Sequence, residues 1–453
     1  MRWNGENMKV KLPQQVAYII NELMEHGYEA YAVGGCVRDS ILGKEPEDWD
    51  ITTSAKPMEV KKIFRRTIDT GIQHGTVTVM LDKDGYEVTT YRVDGEYEDS
   101  RHPKTVEFTA NLVEDLKRRD FTINAMAYNE QDGIVDVFDG LLDIKHGIIR
   151  CVGSASDRFD EDALRILRAV RFSAQLGFDI DPNTLWAAGE KASKLKNISA
   201  ERIRVELSKL LLSKHPEKLI TAYEIGITEI ILPEFTAMMK TEQRNSHHIY
   251  SVGIHTIKAV KAVGENKKLR WAMLLHDVAK PFCKSVGIDG EDHFYEHPEK
   301  GAEMARQILR RLKFDNDTIE TVTRLVKWHD FRFTLTPSKM RKAANKIGED
   351  IMELLFEVKR ADILAQNPIT HEEKLSELSQ AKALYQSIQK KKECINLKML
   401  KINGKDLLEL GYHPGIKIGE VLNRLLEQVL ENPELNEKEI LIDKAIQYKD
   451  YDK

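Results

Sequence analysis

The sequence predicts an α/β domain at its N-terminal end followed by a long all-α body, and two observations lead to this prediction. In the first third of the 453 residues, short apolar runs of strand length alternate with segments whose apolar residues recur at helical spacing. From about residue 157 onward, almost every apolar segment has its apolar residues three and four positions apart, which is typical of helices. At about 150 residues per domain, this length corresponds to roughly three folding units.

The composition excludes several classes of protein. Lys and Arg total 68 and Asp and Glu total 73, and the 42% of hydrophobic residues can fill several cores, which excludes a disordered chain. No apolar run approaches the roughly 18 residues of a membrane-spanning helix, and residues 1–11 lack the apolar core of a signal peptide. The four cysteines are far apart and form no CxxC pair, so neither a zinc site nor a disulfide framework is indicated. We expect a cytoplasmic protein that contacts nucleic acid, if at all, through a local basic surface.

The elements of the N-terminal domain follow from periodicity and turn signals. Residues 14–24 have helical spacing, and residues 28–33 form a short apolar run that leads into two glycines, so we expect a helix and then a buried strand. An Asp84-Gly85 dipeptide separates two further strand-like runs and predicts the turn of a β-hairpin. The remaining predicted strands cover residues 76–81, 86–91 and 134–138.

The body is predicted to be helical up to the end of the chain. Its clearest helical segments share apolar residues at three- and four-residue spacing, and a second helical block begins at about residue 374 and contains a glycine-rich turn at residues 411–415. The predicted body helices cover residues 163–176, 200–212, 218–223, 250–263 and 302–312.

Acidic residues after the first strand predict a metal site. Asp48 and Asp50 are two apart, so on a strand both side chains would project to the same side. Two carboxylates held together repel each other unless a cation neutralises them, and Mg²⁺ commonly binds one or two carboxylates together with substrate phosphates. Glu87, in the strand-like run YEVTTYR, is the candidate for a third carboxylate across the sheet.

The glycine pair next to this site is suited to a phosphate. The backbone N–H groups of Gly34 and Gly35 can approach a phosphate without hindrance from a Cβ atom, and Arg38 can pair with it. A strand, a glycine pair, an arginine three residues later and a DxD pair resemble the nucleotidyltransferase superfamily of the DNA polymerase β type. That resemblance implies a mixed sheet and two metal ions held by aspartates for in-line attack on an α-phosphate.

Two further segments narrow the resemblance. Residues 117–127 read KRRDFTINAMA and residues 161–172 read EDALRILRAVRF. Together with GGxxRD and DWD they resemble the family of CCA-adding tRNA nucleotidyltransferases and bacterial poly(A) polymerases, over essentially the whole chain. The resemblance implies Mg²⁺ as cofactor and CTP, ATP and the tRNA 3′ end as partners. We infer no protein partner, and the apolar runs indicate no membrane. The resemblance also implies that the nucleotide site contains Gly34, Gly35, Arg38, Arg119, Asp120, Asn124, Asp162, Arg165, Arg168 and Arg171, and that Asp48 and Asp50 bind Mg²⁺.

The chemistry of Asp162 and Arg165 fits selection of the base. The two residues are three apart on a predicted helix, so their side chains would be neighbours. Cytosine and adenine each present an amino donor beside a ring-nitrogen acceptor, which a carboxylate and a guanidinium would satisfy. Uracil and guanine reverse this pattern, and buried unpaired groups cost roughly 1–3 kcal/mol each. The alternative is an ordinary amphipathic helix with a solvated arginine face.

Residues 96–108, EYEDSRHPKTVEF, are predicted to form a polar loop. The segment resembles the flexible loop of CCA- and A-adding enzymes, which CC-adding enzymes lack in full length. The resemblance implies that this chain can add the terminal A.

The body contains a second set of metal-binding residue types. An ordered series of histidines and aspartates resembles the HD-domain phosphohydrolases, in which such side chains converge from separate helices on one or two divalent metals. The sequence does not specify the metal, and the alternative is an HD fold that serves as a helical spacer for RNA docking. By resemblance the ligands are His255, His276, Asp277 and Asp362, with His297 and His329 available for a second metal.

The C-terminal block carries lysines suited to RNA. Lys398, Lys401 and Lys405 precede a segment that resembles the tRNA-binding module of the same family, and lysines bind phosphates without regard to sequence. The expected parts are a nucleotidyltransferase head (1–152), a helical neck that selects nucleotide and binds RNA (153–238), an HD domain (239–372) and a C-terminal tRNA-binding module (373–453).

The leading hypothesis is a CCA-adding enzyme, and three others stay open. A poly(A) polymerase or an A-adding enzyme would share the same head. A metal phosphohydrolase with a nucleotide-binding head belongs to another class, and so does a non-catalytic tRNA-binding protein.

Overall fold

The computed structural model describes residues 9–95, 106–244, 249–288 and 290–451. The chain divides into two compact units, residues 1–233 and 234–453. The finer division into four parts that the sequence suggested stays a prediction. Within the described residues, no helix is long and apolar enough to cross a membrane.

The first unit combines a mixed sheet with helices. Its strands are β1 (Ala30–Val33), β2 (Ile51–Thr53), β3 (Thr67–Gly71), β4 (Thr76–Leu81), β5 (Asp84–Thr90), β6 (Arg92–Asp94), β7 (Val106–Phe108), β8 (Met126–Asn129), β9 (Gly133–Asp136), β10 (Ile148–Ile149) and β11 (Asp179–Ile180). Its helices are α1 (Gln14–Glu25), α2 (Gly35–Ile41), α3 (Pro57–Ile63), α4 (Leu112–Lys117), α5 (Gly140–His146), α6 (Ala155–Glu161), α7 (Leu164–Leu176), α8 (Pro182–Lys191), α9 (Ala200–Leu211), α10 (Leu219–Glu224) and α11 (Ile227–Ile231).

The main sheet has the strand order β3-β4-β5-β2-β1-β8-β9. The β2–β5 pair is parallel, with Ile51 opposite Val88, whereas β1 pairs antiparallel with both β2 and β8. The expected α/β head with a mixed sheet is thus confirmed. A core that includes Tyr31, Tyr91 and Leu116 packs beside this sheet, and it brings α4 close to the end of β1.

The β4–β5 hairpin differs from the prediction in the position of its turn. Leu81 pairs with Asp84, so the turn consists of Asp82 and Lys83, and Asp82 adopts a left-handed φ of 55°. Aspartate tolerates that conformation better than most residues. Gly85, predicted to be in the turn, instead pairs with Met80 inside the ladder.

The polar segment 96–108 is a loop only in part. Residues 96–105 lie outside the described residues. Residues 106–108 form β7 and pair antiparallel with β6, where Phe108 is opposite Arg92, so the prediction of a loop was wrong for these three residues.

The second unit is helical apart from one short hairpin, in the part of the chain that the structure describes. The hairpin consists of β12 (Lys284–Val286) and β13 (Asp292–Phe294). The helices are α12 (Pro233–Met239), which begins at the unit boundary, α13 (Val252–Ala262), α14 (Lys267–Leu275), α15 (Lys280–Cys283), α16 (His297–Arg311), α17 (Asn316–Trp328), α18 (Pro337–Ile347), α19 (Glu349–Ala365), α20 (His371–Lys390), α21 (Gly404–Glu409), α22 (Ile416–Glu431) and α23 (Lys438–Tyr451). The predicted helical body is confirmed.

Candidate functional site

The glycine turn at the end of β1 requires a glycine for two reasons. Gly34 is the N-cap residue that precedes α2, with φ 86° and ψ −130°, a backbone conformation that residues with a Cβ rarely adopt. A Cβ atom at this position would also lie 2.9 Å from Nη1 of Arg119. The backbone N–H of Gly34 donates to the carbonyl of Met126 (3.1 Å), so the turn is tied to β8.

The predicted acidic residues lie at the same end of the sheet, but not on a strand. Strand β2 begins at Ile51, and Asp48 and Asp50 precede it in an exposed segment, which corrects the expectation that both are strand residues. The carbonyl of Asp50 accepts a hydrogen bond from the Val33 amide (3.0 Å), so the backbone of Asp50 still lies alongside the end of β1. The parallel register that places Ile51 opposite Val88 puts Glu87, also exposed, next to the position of Asp50.

Charge interactions connect the carboxylates with Arg119. Partial removal of water raises the pKa of the Asp50 carboxyl, Asp48 raises it further, and Arg119 opposes both. A carboxyl with a raised pKa beside a second carboxylate is a group that a cation would stabilise. Oxygen donors of this kind suit Mg²⁺, so the residues present fit the ion that the sequence implied.

A chain of hydrogen bonds extends from the glycine turn to α7. Arg38 donates through Nη1 to Oδ1 of Asn124 (2.5 Å), and Asn124 donates to Oδ1 of Asp120 (3.1 Å). The other oxygen of Asp120 accepts from Nε of Arg168 (2.8 Å). Burial favours a higher pKa for Asp120, but the charge of Arg168, the hydrogen bond from Asn124 and the charge of Arg165 outweigh it and hold this pKa below its usual range. The predicted residues of the RRD and GGxxRD segments are therefore brought together.

Three arginines surround one aromatic ring on α7. The guanidinium carbons of Arg171, Arg38 and Arg168 lie 3.7, 5.0 and 5.3 Å from the ring centre of Phe172, and Phe121 packs edge-on against the same ring at 5.7 Å. Such an arrangement concentrates positive charge on an aromatic surface. Each guanidinium also pairs with a carboxylate, Asp39 for Arg38, Asp120 for Arg168 and Glu206 for Arg171, so a polyphosphate would compete with these partners.

Asp162 and Arg165 are not neighbours on one helix. Asp162 follows α6 in an extended conformation, and its Oδ1 accepts a hydrogen bond from the amide of Leu164 (3.0 Å) at the start of α7. Its Oδ2 accepts from Arg202 (2.8 Å), whereas Arg165 pairs with Glu161 (2.7 Å). The expectation of adjacent helical side chains was wrong because the helix breaks between the two residues.

Sequence reasoning missed several partners of the predicted residues. Arg171 donates to Glu206 on α9 (2.6 Å), and Asp162 pairs with Arg202 of the same helix. The four-residue spacing of Arg202 and Glu206 is the one signal that both lie on one face of α9. Buried Asp115, also missed, accepts from Arg118 (2.8 Å) and is 3.5 Å from Arg119.

In the second unit the predicted metal ligands converge. Nε2 of His255 lies 3.2 Å from Nε2 of His276 and 3.0 Å from Oδ1 of Asp362. Oδ2 of Asp277 is 3.2 Å from Nε2 of His276. Ligand atoms bound at roughly 2.0–2.2 Å from a single ion are separated by about these distances.

A second set of atoms meets on the other oxygen of Asp277. Oδ1 lies 3.6 Å from Nε2 of His297 and 3.6 Å from Nε2 of His329, and these two nitrogens are 3.2 Å apart. Asp277 is 1% exposed, and within the described residues neither of its oxygens accepts a hydrogen bond of good geometry, although Oδ2 forms an ion pair with Lys280 (2.7 Å). A buried carboxylate of this kind is costly unless cations satisfy it.

The backbone fixes all four imidazoles with Nε2 directed inward. Nδ1 of each ring donates to a backbone carbonyl, of Met273 for His276 (2.7 Å), of Val326 for His329 (2.6 Å), of Phe294 for His297 (2.7 Å) and of Ala365 for His255 (3.2 Å). Each Nε2 is then available to bind a metal ion. A hydrogen bond from the other ring nitrogen is the usual support of a metal-binding histidine. The donor set therefore fits divalent metal.

The carboxylates favour positive charge at one end of this cluster. Burial lowers the pKa of His276, but Asp277 and Asp362 outweigh it and raise the pKa to about 10. Burial lowers the pKa of His297 to about 4, with the charge of His329 adding to the effect. Positive charge is thus favoured beside His276, where a cation would be held by two carboxylates.

The three predicted RNA-binding lysines are exposed, but one already has a partner. Lys401 pairs with Glu437, with Nζ 2.7 Å from both carboxylate oxygens. Lys398 lies in a short turn, and Lys405 lies in the first turn of α21, beyond its cap Asn403. No observation places RNA against them, so their role stays a prediction.

Models of known families match most of the chain. Residues 30–150 match the poly(A) polymerase head domain, and residues 177–239 match the probable RNA and SrmB-binding site of polymerase A. Residues 299–445 match tRNA nucleotidyltransferase domain 2.

Relatives match the chain over nearly its full length. A CCA-adding enzyme of Lactiplantibacillus plantarum is 36% identical over 444 residues, which is 94% of each chain. One of Levilactobacillus brevis is 37% identical over 427 residues, covering 94% of this chain and 95% of the relative.

A solved structure agrees in fold. The CCA-adding enzyme of Bacillus stearothermophilus in complex with CTP has 30% identity and a TM-score of 0.71, with 97% of this chain and 98% of that chain covered. Sequence motifs, sheet topology and near full-length similarity thus agree, and the chain belongs to the family of CCA-adding tRNA nucleotidyltransferases.

Proposed function

We propose that the chain adds or repairs the 3′-terminal CCA of tRNA, using CTP and ATP without a nucleic-acid template. The observation that carries this is the meeting of Asp50, Gly34 and Arg119 at one end of the sheet, beside the arginines around Phe172. In the reaction, the tRNA 3′-oxygen bonds to the α-phosphorus of the nucleotide. The bond from that phosphorus to the β-phosphate oxygen breaks, pyrophosphate leaves, and the attacking hydroxyl loses its proton.

Asp48 and Asp50 would hold Mg²⁺, with Glu87 as a third carboxylate. When bound by these carboxylates, as one or two ions, Mg²⁺ would supply neutralisation of phosphate charge and would favour ionisation of the attacking hydroxyl. Arg119 and Arg38 would pair with phosphate and sugar oxygens. Because Gly34 has no side chain, the guanidinium of Arg119 can lie close to its backbone. Arg168 and Arg171 would add positive charge to the nucleotide pocket.

Base selection is proposed to depend on Asp162 and Arg165. Their present partners, Arg202 and Glu161, occupy the groups that would read the base. A nucleotide would therefore replace these ion pairs, with carboxylate accepting from the amino group and guanidinium donating to the ring nitrogen.

The test is extension of a tRNA transcript that lacks CCA, with each nucleotide supplied separately. A CCA-adding enzyme adds two residues with CTP and then one A with ATP. Unlimited addition of A would favour poly(A) polymerase, and addition of A only to a transcript ending in CC would favour an A-adding enzyme. Asp48→Ala with Asp50→Ala should abolish addition, and survival of addition would refute the proposed site.

We infer a second activity, hydrolysis of phosphoesters at the HD site. The observation that favours it is the inward Nε2 of four histidines around buried Asp277. Divalent metal held by His255, His276, Asp277 and Asp362 would supply a water of lowered pKa. Water bonds to phosphorus, the P–O ester bond breaks, and the alcohol leaves with a proton from the water.

A pair of variants separates the two activities. His276→Ala with Asp277→Ala should abolish metal binding by the second unit and any phosphatase activity, while CCA addition continues. The Asp48 and Asp50 variants should do the opposite. Phosphatase activity that survives loss of His276 and Asp277 would exclude this site.

A further inference from the structure

A cavity of about 870 Å³ opens onto the HD residues of the second unit. Asp277, His297, His329 and Asp362 line part of it, so the metal ligands face the space. Its volume is within the roughly 300–1,000 Å³ of small-molecule sites, and it is much larger than a lone phosphate requires. The cavity therefore has room for an ester with an organic group.

A basic group lines the same cavity next to the metal ligands. Lys359 is on α19, three residues before Asp362, so both project from one side of the helix. Its Nζ donates to the backbone carbonyl of His329 (3.0 Å), which uses one of the three donors of an ammonium group. Lys359 is thus held beside two of the residues that bind metal.

A second lysine is oriented toward the same place by an amide. Gln366 donates to Oδ2 of Asp362 (2.9 Å), and its Oε1 accepts from Nζ of Lys374 (2.6 Å). Arg332 also lines the cavity, and its charge acts on both lysines.

The acidic residues of the cavity do not cancel this group. Asp277 and Asp362 are the proposed metal ligands, and Asp277 also pairs with Lys280 (2.7 Å). Four other acids line the cavity. Asp292 pairs with Lys284 (2.8 Å) and Glu296 with Lys300 (3.2 Å), which leaves Asp330 and Glu377 near the three cations. With divalent metal bound, the space between metal ligands and cations has a surplus of positive charge that an anion would relieve.

We propose that Lys359, Lys374 and Arg332 form a phosphate-binding subsite that makes phosphomonoester dianions the preferred substrates of the HD site. This rests on the proposed hydrolytic function, because it names the substrate class of that site. A monoester exposes two charged oxygens to the cations, whereas a diester exposes one, so the three cations favour the monoester. Phe333, whose ring stacks on Phe356 at 5.1 Å, lines the cavity and gives the organic group an apolar surface.

The test uses orthophosphate binding, which needs no turnover. Isothermal titration of the full chain with Mn²⁺ present should give a Kd at least about tenfold weaker for Lys359→Met, or about 1.4 kcal/mol. Lys359→Arg should bind nearly as tightly as the parent, and Mn²⁺ stoichiometry should be unchanged in both. Lys346→Met, which removes an exposed lysine of α18, is the matched control.

The outcomes separate this proposal from the hydrolytic one. A change of less than about threefold for Lys359→Met relative to the control would overturn the subsite. Weakened phosphate binding without any hydrolysis of p-nitrophenyl phosphate would support the subsite and refute the activity. With hydrolysis, KM for p-nitrophenyl phosphate should rise while kcat stays near the parent value, and hydrolysis of bis-p-nitrophenyl phosphate should change little.

A measurement on the unmodified chain covers the case of a variant that does not fold. Lysine acetylation followed by mass spectrometry, with and without phosphate, should show protection of Lys359 and Lys374 and none of Lys346. Equal labelling of Lys359 in both conditions would overturn the proposal.

Discussion

Substituting Glu206 by Gln isolates the cost of leaving a buried arginine without its partner. Arg171 and Glu206 are each 7% exposed in their side chains and lie 2.6 Å apart. Burial already lowers the pKa of Arg171 to about 10, despite the opposing effect of Glu206, so the cation is poorly solvated where it is. Removing the negative charge leaves Arg171 beside Arg168 with no compensating anion of equal strength.

The magnitude follows from that burial. Breaking one side of a buried ion pair costs roughly 3–5 kcal/mol. Glutamine keeps an acceptor, and Gln175 still accepts from Arg171 (2.7 Å), so we expect the lower end, about 3 kcal/mol. In a unit of this size each 1 kcal/mol shifts Tm by roughly 2–4 °C, which predicts a fall of roughly 6–12 °C.

The assay is pulsed hydrogen exchange across a urea series, read by mass spectrometry on peptides from α7 and α9. This reports the free energy of unfolding of the first unit separately from the second. Adding Arg171→Met to the Glu206 variant should recover part of the loss, because no charge is then left buried. If Glu206→Gln lowers the free energy of unfolding by less than about 1 kcal/mol, the reasoning is refuted. It is also refuted if the loss in the double variant equals the sum of the losses in the two single variants.

Three other predictions test different parts of the molecule. Gly34→Ala should lower kcat/KM for nucleotide addition far more than Gly27→Ala, because the new methyl group at position 34 meets Arg119. Gly27 has nearly the same φ, and a Cβ atom there would have nothing within 4 Å. Equal effects of the two substitutions would show that backbone strain alone matters. Burial favours a higher pKa for Asp115, but Arg118 and Arg119 lower it, so the stability this carboxylate contributes is complete above about pH 4–5 and is lost as pH falls through its lowered pKa. Urea titrations should therefore show parent and Asp115→Asn converging at low pH, and a constant difference down to pH 2 would contradict this. Lys405→Ala should weaken tRNA binding and reduce the slope of log K against log salt by about 1, whereas an unchanged slope would exclude a phosphate contact.

Periodic patterns predicted the architecture, and the motifs identified many residues that lie together, although the spacing of Asp162 and Arg165 was misleading. The alternation of strands and helices, the glycine turn, Asp48 with Asp50 and the HD residues were all visible as local patterns. Pairings between distant segments were not, because no local signal joins Arg38 to Asn124 or Asp162 to Arg202. Such pairs depend on how the helices and strands pack against one another. Local patterns in the sequence carry no information about that packing.

The misplaced hairpin turn has a definite physical cause. A turn at Asp84-Gly85 and the observed turn at Asp82-Lys83 differ by two residues on each strand. Because side chains alternate with a period of two, both registers bury the same residues, including Val77 and Val88. Alternation of apolar residues therefore does not distinguish the registers, and the Asp-Gly signal favoured the wrong one.

The parallel β2–β5 pairing has a consequence for how this enzyme can vary. The spacing of Asp50 and Glu87 is set by main-chain geometry, so the turns that connect α3, β3 and β4 between them can gain or lose residues without disturbing the acidic pair. One residue inserted directly before Val88 would instead rotate the glutamate to the opposite face of the sheet. Tolerance to insertion should thus change abruptly within a few positions, from permissive in the connecting turns to inactivating at the strand.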